Sequence, residues 1–186
     1  EFRRVLFRSV AVIGGGLAGV ECASALSRNG ITVDLYEMKP SKKSPAHKLD
    51  TLAELVCSNS LKAERLNSAA GLLKLEMAEL DSICVETAYE CKVEAGGALA
   101  VDRYDFSKII TEKIKNDKNI NIIEKEVTDI PEGYDGVVVC AGPLASDSLA
   151  EKIREICGNG LSFYDAAAPI ISAESIDMSC AFAQSR

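Results

Sequence analysis

Cys57 stands in the stretch AELVCSNSLK, residues 53–62, between the apolar pair Leu55-Val56 and the polar trio Ser58-Asn59-Ser60. A cysteine so placed has two readings. As a thiolate it is a nucleophile or a base, with hydroxyl and amide neighbours able to orient a bound heterocycle. As a thiol it is a small apolar spacer, and the local pattern alone favours this, because unpaired cysteines are among the most buried residue types. Ser58, Asn59 and Ser60 carry the same ambiguity between ligand hydrogen bonds and local capping. His47, in SPAHKLD, is the single histidine. On a loop it reads as solvated or structural before it reads as catalytic.

The other cysteines stand at 22, 84, 91, 140, 157 and 180. No two form a CxxC pair, and neither a metal site nor a secreted disulfide framework emerges. The pattern is that of reduced thiols in a cytoplasmic protein. Cys84 and Cys91, placed on strands, would face opposite sides and are assigned no chemistry.

A second chemistry-bearing stretch is Gly14-Gly15-Gly16-Leu17-Ala18-Gly19, which matches GxGxxG. Gly14 permits a tight turn, Gly16 lets backbone approach a pyrophosphate, and Gly19 lets helix pack on strand. The N–H groups of the following helix, starting at Leu17 and Ala18, would meet the phosphates. Glu37, at the end of ITVDLYE, is placed to accept from a ribose. The fingerprint is weak alone, but here strand, glycines, helix, second strand and acid follow in order. Far downstream, YDGVVVCAGP reads as a buried strand and a turn at Gly142. FAD domains of the two-dinucleotide-binding type close in this way, which favours FAD over NAD, while a plain turn at Gly142 stays open.

The elements that must position these residues follow from periodicity. Val10–Ile13 reads as a buried parallel strand. Leu17, Val20, Ala23 and Leu26 recur at helical spacing, and Gly30 ends that helix. Residues 41–60 form a polar loop broken by Pro45. It leads into a helix that Thr51 caps, with Glu54 at the capping-box position. Residues 71–80 form an amphipathic helix whose leucines and Met77 pack in the core. Ala98–Val101 is a short strand, followed by a helix with apolar residues at Phe106, Ile109, Ile110 and Ile114 and charges between them. NINIIEKEVTDIPEGYD reads as two short strands and a turn. With 186 residues, 47% apolar and 26% charged, the chain suits a globular domain with a sizeable core. No apolar run approaches the length of a membrane span. A net charge of −7 argues against a large nucleic-acid surface on this segment.

VIGGGLAGVECASAL, LYEMKP, SPAHKLDTLAELVCSNSLKAE, EAGGALAVDR, VVVCAGPLASDSLAEKI and FYDAAAPIISAESIDM together closely resemble the folate- and FAD-dependent tRNA (uracil-5-)-methyltransferases, from about residue 10 to the end. The resemblance implies an enzyme that makes 5-methyluridine in the T-loop of tRNA. The carbon would come from methylenetetrahydrofolate. FAD, reduced by NADH or NADPH, would turn the methylene into a methyl group. Uracil carbon-5 is a poor nucleophile until something adds at carbon-6, so a thiolate is a sensible catalyst, and a base must later remove the carbon-5 proton. The resemblance places Cys57 at the first of two family cysteines; the second would lie beyond Arg186. It places Lys39, Arg103 and Val127 with the glycines, Glu37, Ser58, Asn59 and Gly142 at the cofactor, and His47 and Ser60 at substrate or folate. Two positions depart from the family pattern. Lys48 stands where a second histidine is common, and Lys39 where arginine is. Lysine cannot reproduce a bidentate arginine contact.

The expectation is therefore an α/β, Rossmann-like FAD-binding fold truncated at its C-terminus. Residues 1–9 are read as a scar outside the fold. Residues 10–149 form the FAD domain, with an inserted segment at 41–94, and residues 150–186 begin a substrate-side domain. Two alternatives stand beside it: a tRNA-modifying flavoprotein of the carboxymethylaminomethyl type, and a generic FAD-dependent oxidoreductase.

Overall fold

The computed structural model describes residues 8–158 and 173–180. Strand β1 (Ser9–Ile13) is almost wholly apolar and buried, as a strand covered on both faces must be. Helix α1 (Leu17–Arg28) buries Gly19, Val20, Ala23 and Ser27. It ends in a Schellman cap: Gly30 N–H donates to the Ser27 carbonyl and Ile31 N–H to that of Leu26, with Gly30 at a φ of +75°. Strand β2 (Thr32–Glu37) runs parallel beside β1. The insertion then supplies β3 (Ser60–Ala63), α2 (Ala69–Glu79), α3 (Ile83–Glu90), β4 (Lys92–Val93) and β5 (Ala98–Val101). The chain returns through α4 (Arg103–Asn116) to β6 (Ile120–Glu124), β7 (Gly136–Val139) and α5 (Asp147–Cys157).

The main sheet is parallel, in the order β6-β2-β1-β7. The strand order reverses at β1, whose two neighbours, β2 and β7, lie far apart in the sequence. In open α/β sheets this is where a crevice forms beyond the carboxyl ends of the strands. A small antiparallel sheet, β3-β5-β4, flanks the main one. Val12, Val20, Val33, Leu35, Leu99, Val101, Phe106, Ile110 and Ile114 make one continuous core between α1, α4 and the two sheets. Each buried aliphatic side chain there contributes about 1.5–3 kcal/mol.

Several expectations change. Residues 51–57 form no helix; the stretch is bent and irregular up to β3. Leu52, Ala53 and Leu55 are all buried, which helical spacing on a surface segment would not allow. The backbone is held from outside instead: Leu52 N–H donates to Thr111 Oγ1 (2.8 Å) and Ala53 N–H to the Gly15 carbonyl (2.8 Å). Thr51 hydrogen-bonds to Ser107 rather than capping a helix. Glu54 accepts from Lys48 and Leu49 N–H, not from Thr51.

Helix α2 forms as expected but turns its apolar side outward. Leu72, Leu73 and Leu80 are 48%, 55% and 75% exposed. Its buried members are Gly71, packed against the Arg65 carbonyl, and Lys74, whose Nζ donates to the Leu61 and Ala70 carbonyls. Cys84 lies on α3 and Cys91 at that helix's C-cap, not on strands. Residues 120–135 hold one strand, β6, and then irregular chain. Strand β7 is only partly covered, with Val138 and Val139 exposed. Strand β1 begins at Ser9, and Asp135 accepts from the N–H groups of Arg8 and Ser9; residues 1–7 lie outside the described residues. Helix α5 crosses position 150 without a break, and residues 159–172 and 181–186 also lie outside the described residues.

Candidate cofactor cleft

A cleft of about 310 Å³ opens at the carboxyl ends of β1, β2 and β7. Its floor is the turn from β1 into α1. Gly14 sits at a φ of +104°, open to glycine and strained for any other residue. A Cβ there would also meet the Cys140 carbonyl at 2.7 Å. At Gly19 a Cβ would stand 1.7 Å from the Gly14 carbonyl, so helix and turn touch through the missing side chain. Gly16 differs: nothing lies within 4 Å of where its Cβ would be. It is the N-cap of α1, no side chain caps that terminus, and no acid stands in the first turn. The terminal N–H groups of α1 therefore face a space kept clear of side chains, the requirement for a phosphate. The donor set and the cradle fit a dinucleotide pyrophosphate.

Glu37 closes one wall. Its Oε2 accepts from Gly15 N–H at 2.8 Å and its Oε1 from Lys39 N–H at 3.0 Å, both buried. Each oxygen keeps a lone pair for a ribose hydroxyl. Gly15, the residue the fingerprint leaves free, is crowded as well: its Cβ would meet Leu52 Cδ2 at 2.6 Å and Glu37 Oε2 at 2.8 Å. Periodicity offered no signal for this, because Leu52 arrives from the insertion.

Of the residues singled out by sequence, Gly14, Gly16, Leu17, Ala18, Glu37, His47, Val127 and Gly142 line the cleft together. His47 is held by Ser44 Oγ at 2.6 Å from its Nδ1. Burial, with help from the Lys39 ammonium, lowers its pKa below the usual imidazole value. Lys39 does not line the cleft. It is buried, donating from Nζ to the Thr51 carbonyl at 2.6 Å, with Glu54 at 3.8 Å. Arg103 is the first residue of α4 and also lies away from the cleft lining. Glu54, Tyr36 and Cys140 line the cleft without having been foreseen. Tyr36 is tied by its hydroxyl to Tyr134 at 2.8 Å, and Tyr134 donates to Asp34 at 2.6 Å.

The chain belongs to the glucose-inhibited division protein A family. The family profile, described as "Glucose inhibited division protein A", matches residues 9–186. Among curated relatives, methylenetetrahydrofolate–tRNA-(uracil-5-)-methyltransferase TrmFO of Bacillus licheniformis is 52% identical over 180 residues, covering 96% of this chain and 41% of that protein. The protein of the same name from Staphylococcus aureus MRSA252 is 53% identical over 180 residues, with the same coverage of 96% and 41%. The chain thus spans about 41% of the length of these relatives. Among solved structures, Aquifex aeolicus GidA superposes with a TM-score of 0.58 at 20% identity, over 77% of this chain and 26% of that one. This supports the Rossmann-like α/β fold for this family member.

Cys57 is exposed on the loop that carries Val56 into the cleft. The buried-spacer reading of Cys57 is therefore incorrect: its neighbours Leu52, Ala53 and Leu55 take the core positions. Two residues beyond Ser58, Ser60 lines a second cavity, of about 440 Å³, with Leu61, Lys62, Leu73 and Met77. Leu17 and Ala18 line both spaces. The segment 56–60 thus runs from one cavity to the other around the N-terminus of α1, with Cys57 between them. Ser58 Oγ accepts from Ser60 N–H (3.1 Å), and Asn59 exchanges bonds with Val101 backbone. Both side chains organise the loop itself, and neither lines the cleft.

Proposed function

We propose that this chain forms the FAD-binding part of an enzyme that methylates carbon-5 of the T-loop uridine in tRNA. Methylenetetrahydrofolate would be the carbon source, and NADH or NADPH the reductant. The observation that carries the reading is the identity of 52% over 180 residues with a relative named for that reaction. The cleft geometry supports it, because the cradle at Gly16 and the acid at Glu37 suit the pyrophosphate and ribose of FAD. The bound flavin would supply the electrons that reduce the methylene group. The chain's own residues do the rest. The α1 N-terminus holds the phosphates, Glu37 orients the ribose, and Val127 and Gly142 form the opposite wall.

Cys57 is the candidate catalytic thiol. It is exposed beside the cleft, and the core burial of Leu52, Ala53 and Leu55 fixes the start of its loop. A neutral His47 in the cleft can accept a proton or a hydrogen bond from substrate or folate. With a segment net charge of −7, the basic surface for tRNA is expected outside these residues.

The test is a chimera in which this chain replaces the matching part of the Bacillus licheniformis relative. Incubated with unmodified tRNA, methylenetetrahydrofolate, FAD and NADPH, it should yield 5-methyluridine by nucleoside mass spectrometry, and Cys57→Ala should abolish the product. A chimera that binds FAD but makes no 5-methyluridine would favour the broader reading, an FAD-dependent oxidoreductase.

A further inference from the structure

Cys140 follows β7 and lines the cleft. Its N–H donates to the Ile13 carbonyl at 2.7 Å, and its own carbonyl lies against Gly14. Cys22 lies one turn along α1 from Gly19, and a Cβ built at Gly19 would stand 3.6 Å from Cys140 Cβ. Helix α1 and the end of β7 therefore meet at these two cysteines. Both are reduced, both are half-buried, and both pack against the same apolar core. Their side chains interact: Cys140 supports the Cys22 thiolate and holds its pKa down to about 7 against the upward pull of burial, and the same contact pushes Cys140 up. Cys84 and Cys91 are both pushed the other way, chiefly by burial. Two neighbouring thiols that together release one proton readily divide the work of oxidation: the one that ionises attacks and the other resolves.

We propose that Cys22 and Cys140 are a redox pair that peroxide closes to a disulfide, tying α1 to the end of β7 beneath the cofactor cleft. Hydrogen peroxide is the two-electron oxidant. The Cys22 thiolate attacks one peroxide oxygen, the O–O bond breaks, and the departing hydroxide takes a proton to leave as water. Cys22 is then a sulfenic acid. The Cys140 sulfur, losing its proton, attacks the Cys22 sulfur. The S–O bond breaks and a second water leaves. Two thiols and one hydrogen peroxide give one disulfide and two waters. The inference rests on the approach of α1 to the end of β7, where both cysteines pack on one core, and is independent of the tRNA reading.

The experiment uses the whole chain. It is treated with graded hydrogen peroxide, blocked with N-ethylmaleimide and cut with trypsin. The tryptic peptides 9–28 and 126–152 each contain a single cysteine, Cys22 and Cys140, so their linkage is unambiguous by mass. The expected result is a linked 9–28/126–152 pair as the main product from both peptides, released by dithiothreitol. In Cys140→Ala, consumption of Cys22 by peroxide should slow roughly tenfold, because its thiolate loses support. The proposal is overturned if both peptides emerge unlinked at peroxide concentrations that oxidise half of Cys57, Cys157 and Cys180. Mapping of the unmodified chain decides the matter even where the variant fails to fold.

Discussion

Gly15 donates its backbone N–H to the Glu37 carboxylate at 2.8 Å, and Leu52 packs against the same glycine from the insertion. The cofactor turn, the acid of the second strand and the loop leading to Cys57 are therefore one contact. Gly15→Ala would drive a methyl group into both neighbours and should cost about 1–3 kcal/mol. Urea denaturation of the two proteins measures it. An unchanged midpoint would mean that Leu52 moves aside freely and that the loop is not anchored there.

Gly16 and Gly19 should separate binding from stability. A side chain at Gly16 meets open space, so Gly16→Ser should leave stability within about 0.5 kcal/mol, since serine is itself a good N-cap. It should nevertheless weaken FAD binding at least tenfold, about 1.4 kcal/mol, by filling the cradle. Gly19→Ala, with its Cβ 1.7 Å from the Gly14 carbonyl, should lower the melting temperature as well. Flavin fluorescence titration and thermal melts on the same samples would distinguish the pair. Equal effects in both assays would remove the cradle argument.

Cys57 and Leu55 make a similar contrast. Cys57→Ser alters an exposed side chain and should change stability by less than about 0.5 kcal/mol. Leu55→Ala empties a position only 6% exposed and should cost about 2–4 kcal/mol. In the chimera, Cys57→Ser should lose methylation with the fold intact. A Cys57→Ser chimera that methylates at the parental rate would strip Cys57 of its catalytic role.

His47 predicts a pH dependence. Its pKa in the fold is lowered by burial and by Lys39, so the unfolded chain takes up the proton first as pH falls. The folded state is therefore favoured above about pH 6.5 and loses that advantage as pH drops below it. The melting temperature should fall more steeply between pH 7.5 and 5.5 in the parent chain than in His47→Gln. Parallel curves would show that the imidazole titrates freely.

Much of the dinucleotide unit was legible because its signals are local. The alternating burial of β2, the helical spacing in α1, and the Gly30 cap depend on residues close in sequence. The same holds for α4, where Phe106, Ile110 and Ile114 face the core as their spacing predicts. Where partners come from far away, local signals mislead. Thr51 and Glu54 look like a capping box, but Ser107 and Thr111 from α4 claim Thr51 and Leu52 and pull the segment out of helical geometry. Helix α2 has the right period, yet Gly71 and Lys74 are the side it buries, because the small residue allows the closest approach to the Arg65 carbonyl.

Of the residues that motif and resemblance singled out, Gly14, Gly16, Leu17, Ala18, Glu37, His47, Val127 and Gly142 line the cleft, whereas Lys39, Arg103, Ser58 and Asn59 do not. The packing of Gly15, the place of Glu54 and the approach of Cys22 to Cys140 had no local signal. Each of these depends on chain segments brought together only by the fold, and for the cysteines that means the pairing of β1 with β7.

The parallel order β6-β2-β1-β7 also sets a timetable for synthesis. Strands β1 and β2 pair early, being joined by one short helix, but their outer neighbours start only at Ile120 and Gly136. Parallel pairing across such separations is slow, because loop closure precedes the contacts that reward it. The glycine turn therefore leaves the ribosome long before Cys140, Gly142 and Ser146, which complete the opposite wall of its cleft. A nascent chain exposes the turn with nothing opposite to hold a ligand. Cofactor can fill this cleft only as a late step of folding, after β7 has docked.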